Sequence, residues 1–134
     1  MAANFTGIWK LIRGESEFGF LGAPASRQDA ILHEGSRICI RTRQKDSNGD
    51  VTVERDLISG GEPVTVQIYG RARQVRAFWD DEALVIETRS EVSGKARRIE
   101  DRWTLDPDGQ WITIDRVHEQ PGGDVRQRLR LEKR

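Results

Sequence analysis

The feature that most constrains this chain is a two-residue alternation of apolar and polar side chains, cut about every 8–12 residues by turn formers. Such a pattern gives each segment one buried and one solvated face, the mark of an antiparallel sandwich or barrel. Helical periodicity is nearly absent. The alternation predicts ten strands: 6–13, 27–34, 37–45, 51–58, 64–69, 73–79, 83–90, 95–105, 110–118 and 125–133. Asp46-Ser47-Asn48-Gly49-Asp50 holds an Asn-Gly pair, a strong hairpin signal. Gly60-Gly61-Glu62-Pro63, Asp80-Asp81, Ser93-Gly94, Asp106-Pro107-Asp108-Gly109 and Gln120-Pro121-Gly122-Gly123-Asp124 supply further turns.

Only 14–24 exceeds hairpin length, and it is too short for two full helices. Strands joined by hairpins pair with their neighbours in sequence. Ten of them form a meander, and closing it into an up-and-down barrel removes the exposed edges and hides the apolar face. A barrel of that size can hold an internal ligand cavity. The 134 residues are expected to make one domain, 1–134.

Alternation also assigns faces. In the last strand Val125, Gln127, Leu129 and Leu131 share one side, and Arg126, Arg128, Arg130 and Glu132 share the other. The first set must point inward, because three buried arginines without partners would be very costly. The same logic sends inward Ile38, Ile40, Val51, Val53, Leu57, Val64, Val66, Ile68, Val75, Ala77, Trp79, Leu84, Ile86, Ile99, Trp103, Leu105, Ile112 and Ile114. Arg55, Asp101 and Gln127 fall on these rows, with Thr42 and Thr88 as further polar candidates. A few polar groups in an apolar hollow are what an orienting ligand site needs. The residues expected to line such a site are Ile40, Arg55, Trp79, Asp101, Trp103, Gln127, Leu129 and Leu131. Arg55 and Asp101 could instead pair with each other or reach solvent at a strand end.

Phe5-Thr6-Gly7-Ile8-Trp9-Lys10-Leu11 resembles the first strand of the intracellular fatty-acid-binding proteins, Phe-x-Gly-x-Trp-Lys-Leu. Gly7-x-Trp9 is also the opening motif of the wider lipocalin (calycin) superfamily. Phe18, Leu21-Gly22, Ala25-Ser26-Arg27-Gln28 and the ending Asp124-Val125…Leu131-Glu132-Lys133 extend the likeness, with a bacterial form of the barrel as the nearest type. The resemblance implies an all-β, lipocalin-like, fatty-acid-binding-protein-like barrel that binds and carries a small hydrophobic, lipid-like molecule. It also implies that Trp9 plugs the narrow end, with Arg128 or Arg130 packed over it.

Two departures bear on the ligand. The family's helix-turn-helix lid has no room in 14–24. The family grips a carboxylate with an Arg-x-Tyr pair on the last strand and an arginine on the eighth; here Leu129, Leu131 and Asp101 occupy those positions. Asp101 would repel an anion, which favours a neutral or cationic apolar ligand unless Arg55 serves as anchor.

Other chemistries find little support. The single cysteine, Cys39, excludes an intrachain disulfide and a cysteine-rich zinc site, and His33 and His118 cannot form a three-histidine centre. Cys39 alternates outward with no base beside it, so no nucleophile is assigned. His118 near a loop could ligate haem as in the nitrobindin barrels, but Lys10-Leu11-Ile12-Arg13 breaks their glycine pattern after Trp9. An Asp101/Arg55 acid–base pair would make the barrel a small enzyme, and a filled barrel would be an interaction module; both remain alternatives. Twenty-two cationic and 22 anionic side chains balance, which argues against nucleic acid as partner. No apolar run reaches 18 residues, so stable membrane insertion is not expected. No secretory leader is visible from Met1 to Thr6, which makes the cytoplasm the expected compartment. Neither a cofactor nor a metal is expected, and the oligomeric state is read as monomer or weak dimer.

Overall fold

The computed structural model describes residues 3–47 and 49–134. They form one ten-stranded antiparallel sheet: β1 (Gly7–Leu11), β2 (Ser26–Glu34), β3 (Arg37–Asp46), β4 (Gly49–Ile58), β5 (Val64–Ile68), β6 (Arg71–Asp80), β7 (Ala83–Val92), β8 (Lys95–Leu105), β9 (Trp111–Gln120) and β10 (Gly123–Lys133). Their spatial order is β4-β3-β2-β1-β10-β9-β8-β7-β6-β5. The first strand therefore pairs with the last, Trp9 opposite Lys133 and Leu11 opposite Leu131. The sheet curls into a nearly closed up-and-down barrel, as the alternation predicts. Several strands run further than the sequence suggests, because their turns are two-residue ones. Tyr69-Gly70 and Ser93-Gly94 both carry the positive φ that such turns require. The Asn48 half of the predicted Asn-Gly turn lies outside the described residues.

One expected pairing is absent. No ladder joins β4 to β5, although they are consecutive and joined by a short loop. The loop explains this. Gly61 folds its amide back onto the Ile58 carbonyl at 2.9 Å, while Ser59 and Gly60 donate to Ser36 and Ala77 carbonyls, both at 2.8 Å. The chain leaves β4 by reaching past β5 to β6, and β5 returns outside that bond. The seam is held at this end by the Ser59–Ala77 bridge. At its other end the Tyr69 hydroxyl donates to Asp46 Oδ2 at 2.8 Å, across from the β5–β6 turn to the β3–β4 turn. Tyr69→Phe is expected to speed amide exchange in β4 and β5 while leaving β8–β10 unchanged, a difference that exchange mass spectrometry resolves.

Residues 12–25 form two single 3-10 turns, Arg13–Glu15 and Gly19–Leu21. A two-helix lid is absent, as the segment's length requires. Instead the segment is strapped to β10: Glu17 and Arg128 exchange backbone hydrogen bonds at 2.7 Å each, and Ser16 Oγ accepts the Arg130 amide at 3.0 Å.

The narrow end is closed by aromatic packing. Trp9 is fully buried and its indole N–H donates to the Phe5 carbonyl at 2.8 Å. Phe5 stacks on His33 and Trp79 and meets Trp103 edge-on, with centroids about 6 Å apart. The cation over Trp9 is Lys133 at 5.7 Å, whereas Arg128 and Arg130 were expected there. Their outward row carries them elsewhere: Arg130 covers Trp111 at 4.7 Å, and Arg128 pairs with Asp115. Gly7 is required here, since a Cβ would lie 3.0 Å from the Lys133 stem at a φ of +146°.

His33 Nδ1 accepts the Phe5 amide at 3.2 Å, which requires the neutral ring. Burial holds its pKa below the ordinary 6.5. The His118 pKa is likewise low, through burial and then the charge of Arg116. Unfolding raises both pKa values, so the unfolded chain binds more protons and stability is lost as pH falls through about 6.5. Urea unfolding at pH 7.5 and 5.5 is expected to show that loss, and His33→Gln to lessen it.

Candidate functional site

Cross-strand register stacks the inward side chains in rows. One row runs Trp79, Leu84, Trp103, Ile114, Leu129 across β6 to β10. The next runs Ala77, Ile86, Asp101, Arg116, Gln127. On the other side of the barrel, β1 to β4 carry Trp9, Asp29, Thr42, Val53 in one row and Gly7, Ile31, Ile40, Arg55 in the next. The residues predicted from sequence thus fall in two groups. Asp101, Gln127, Trp79, Trp103 and Leu129 are neighbours on β6–β10, and Ile40 and Arg55 are neighbours on β3–β4. Leu131 lies deeper, opposite Ile112 and Leu11.

The predicted polar trio is buried: Arg55 8%, Asp101 4% and Gln127 8% exposed. Their partners differ from expectation. Arg55 and Asp101 do not pair. Asp101 is held by both arms of Arg116, at 2.7 and 3.0 Å. Burial pushes the Asp101 carboxyl up, but the charge and hydrogen bonds of Arg116 more than offset it, so its pKa lies below the ordinary value. An acid–base pair of Asp101 with Arg55 therefore has no geometry to stand on. Gln127 Nε2 donates to the Phe18 carbonyl at 2.8 Å and pins the 12–25 segment over this end.

Sequence reasoning missed a second buried pair. Arg27 and Asp29 on β2 are joined at 2.9 and 3.4 Å. In Ser26–Glu34 both phases of the alternation contain apolar residues, Ala30 and Leu32 in one and Ile31 in the other, so the face was ambiguous. Leu32 is the exposed one. Arg116 was missed although it follows Ile112 and Ile114 in the same phase, a signal that could have found it. Arg73 also lies on the inward row of Val75 and Ala77.

Arg55 differs from the other inward cations. Its Nη2 donates to Thr42 Oγ1 at 3.0 Å, and that hydroxyl in turn donates to Asp29. No carboxylate among the described residues bonds it, and its Nε is buried with no partner. Burial, then the charge of Arg27, pushes its pKa down to about 10, so it stays charged at neutral pH. The Nε atoms of Arg73 and the Trp103 indole nitrogen are also buried without partners. Such orphans each cost about 1–3 kcal/mol.

An open groove of about 790 Å³ lies on the outer face of β1 to β4, along Leu32, Cys39 and Asp56 and along Ile8, Ala30 and Glu54, with Thr65 of β5 at its side. A cavity of about 450 Å³ lies beneath the 12–25 segment, against Phe18, Arg116, His118, Gln127 and Leu129. The latter is in the size range of small-molecule pockets. Among the described residues no three His, Cys, Asp or Glu side chains cluster so as to hold a metal ion, and no helix is long and apolar enough to cross a membrane. Cys39 is half-buried on the outer face, its thiol 3.3 Å from Asp56 Oδ1.

The ten-stranded, nearly closed meander has the fold of a fatty-acid-binding-protein-like barrel. Solved structures agree on the fold. Zebrafish ileal bile acid-binding protein, solved with cholic acid, superposes with a TM-score of 0.68 at 13% identity, covering 97% of this chain and 98% of that one. Human cRBP IV gives 0.65 at 16% identity, over 98% and 99% of the two chains. A secretory abundant heat soluble protein of Ramazzottius varieornatus gives 0.68 at 17% identity, over 96% and 94%. No family model matches the sequence, and no curated protein matches it.

The buried pairs make a stability prediction. Asp101→Asn leaves Arg116 buried without its carboxylate and should cost about 3–5 kcal/mol. Arg55→Met removes an uncompensated charge, and should be neutral or stabilising by about 1 kcal/mol or more. Denaturant midpoints of the two variants separate these signs.

Proposed function

We propose that this protein binds and carries a small, predominantly apolar molecule inside its barrel. The observation that carries the reading is the cavity of about 450 Å³ beneath residues 12–25, where Phe18 and Leu129 stand beside Arg116, His118 and Gln127. Apolar walls with a few convergent polar groups are what a small-molecule site presents. Apolar burial would supply the affinity, at roughly 25 cal/mol per Å² before ordering costs. Ile31, Ile40, Val66, Trp103 and Leu129 are the proposed apolar contacts, with Trp79 and Leu131 deeper, and Arg55 and Gln127 as the polar ones. Asp101 is assigned to holding Arg116 in place. The fold's neighbours support this reading, since one was solved with cholic acid and another, from Drosophila melanogaster brain tissue, is a fatty acid-binding protein.

The test uses the protein's own chromophores. Trp103 and Trp9 are buried, and Trp79 is half-buried. Titration with a neutral naphthalene fluorophore is expected to give saturable energy transfer from tryptophan with one site per chain. Leu129→Trp, which fills the space by the 450 Å³ cavity, should weaken that signal about tenfold or more while the fold's circular dichroism is retained. Absence of saturable transfer in the parent protein would sink the carrier reading.

A further inference from the structure

We infer that the outer face of β1–β4 is a self-association surface, on which a second copy of this chain packs through Leu32 and Cys39 about a two-fold axis running along the strands. This goes beyond the carrier reading, and the groove involved shares no residue with the cavity beneath residues 12–25.

Three of the five large apolar side chains exposed among the described residues, Ile8, Leu32 and Ile58, stand on this face. They belong to one patch. Ile8 lies opposite Ala30 and Leu32 opposite Cys39 in the cross-strand register, and Ala30 and Leu32 follow each other on one side of β2. The far side of the barrel shows how unusual this is. Ala83 and Val85 also point outward, from β7, yet both are buried, beside an Arg76 that lies over Phe78 at 5.1 Å. On β3 the arginines are drawn away from the apolar patch. Arg37 closes on Asp56 at 2.9 Å and Arg41 on Glu54 at 3.3 Å, both toward β4, and Leu32 is left half in solvent. A bare apolar centre edged by paired charges is the anatomy of a contact surface.

Charge decides what fits there. Outward, β3 carries Arg37, Arg41 and Arg43, and β4 carries Asp50, Glu54 and Asp56. These basic and acidic stripes cancel, whereas an anionic lipid surface or a nucleic acid calls for a cationic excess. An extended peptide finds no free edge on β1, β2 or β3, since each is paired on both sides. A second copy fits, and in one orientation. Turned over about an axis across the strands, each stripe would meet its own like and be repelled. Turned over about an axis along the strands, between β2 and β3, the face brings β3 of one copy over β2 of the other, and β4 over β1. Leu32 of each copy then meets Cys39 of the other, Arg37 meets Glu34, and Lys10 falls between Asp50 and Glu54. Sheets packed face to face take this aligned arrangement, with backbones about 10 Å apart. Because the axis is two-fold, each of these contacts is made twice.

Sedimentation equilibrium tests the inference. The parent protein is expected to pass from monomer to dimer at a chain concentration on the order of 10–100 µM, as a contact of modest area does. Leu32→Lys should weaken the dimer about a hundredfold, because two buried leucines are lost, and should leave the thermal melt and the fluorophore titration unchanged. Glu34→Arg should weaken it about tenfold, and Glu34→Arg combined with Arg37→Glu should restore it, a rescue that non-specific association would not give. Cys39 is the only cysteine, and aligned packing brings the two thiols within reach of a short bis-maleimide. The parent should therefore yield a linked dimer, and Leu32→Lys should not. A chain that stays monomeric through this range, or a dimer that Leu32→Lys leaves intact, overturns the inference. So does Leu32-dependent binding of a monomeric chain to vesicles of phosphatidylcholine and phosphatidylserine, which would give the face to a lipid surface.

Discussion

Each strand of this chain has one face that must leave water, and no helix is available to cover it. A meander so made can only cover itself. The closure of β1 onto β10 is therefore the contact on which the rest depends, because it converts two sheet edges into one short ladder. Gly7 permits that ladder by letting the Lys133 stem pass, and Trp9 and Phe5 seal the end below it. The remaining two edges, β4 and β5, are not zipped. They are fastened at each end, by Ser59 and Gly60 against Ala77, and by Tyr69 against Asp46. Tyr69 does this at a φ of 52°, in the left-handed region that a bulky residue rarely adopts. The interior thus has a wall that is continuous for nine ladders and interrupted at one place.

Arginine explains how so much charge is tolerated. Its planar fork satisfies a carboxylate with two bonds at once, so Arg116 and Asp101 can be taken out of water together. The same device works outside the barrel, where Arg76, Arg89 and Arg98 surround Glu87, only 3% exposed, on the outer face of β6–β8. Burial pushes that carboxyl up, but Arg89 and Arg76 more than reverse it. Lysine could not replace these contacts, since an ammonium is a single point of charge. Many of the chain's arginines are, in the fold, forks closed on acids, while Arg55 and Arg73 are inward forks left open among the described residues.

Architecture was legible in the sequence because its signal is redundant. Ten alternating segments and their turns all point to one meander, and a mistake in any one would not change the topology. What the sequence could not show is the partner of a buried charge. Asp101 on an inward row reads as a repulsive wall for anions when seen alone. Beside Arg116 it reads as neutral. That pairing depends on register between β8 and β9, and a shift of two residues would have set Asp101 opposite Ile114 or His118. The missing β4–β5 ladder was hidden for a related reason. Whether consecutive strands zip depends on where the loop's own amides go, and Gly60 sends its amide to β6.

The net charge of the barrel's interior is decided by that same register. If the inward row of β4 were shifted so that Asp56 replaced Arg55 beside Ile40, the interior would hold three acids against three bases. With Arg55 there it holds four bases, Arg27, Arg55, Arg73 and Arg116, against two acids, Asp29 and Asp101. One residue's phase on one strand therefore sets the net charge of the interior. Asp56 is instead on the outside, paired with Arg37 at 2.9 Å in full contact with solvent, where the same two charges count for little. The apolar rows make the barrel close, while the phase of each strand decides which charges stand inside it without a counterion.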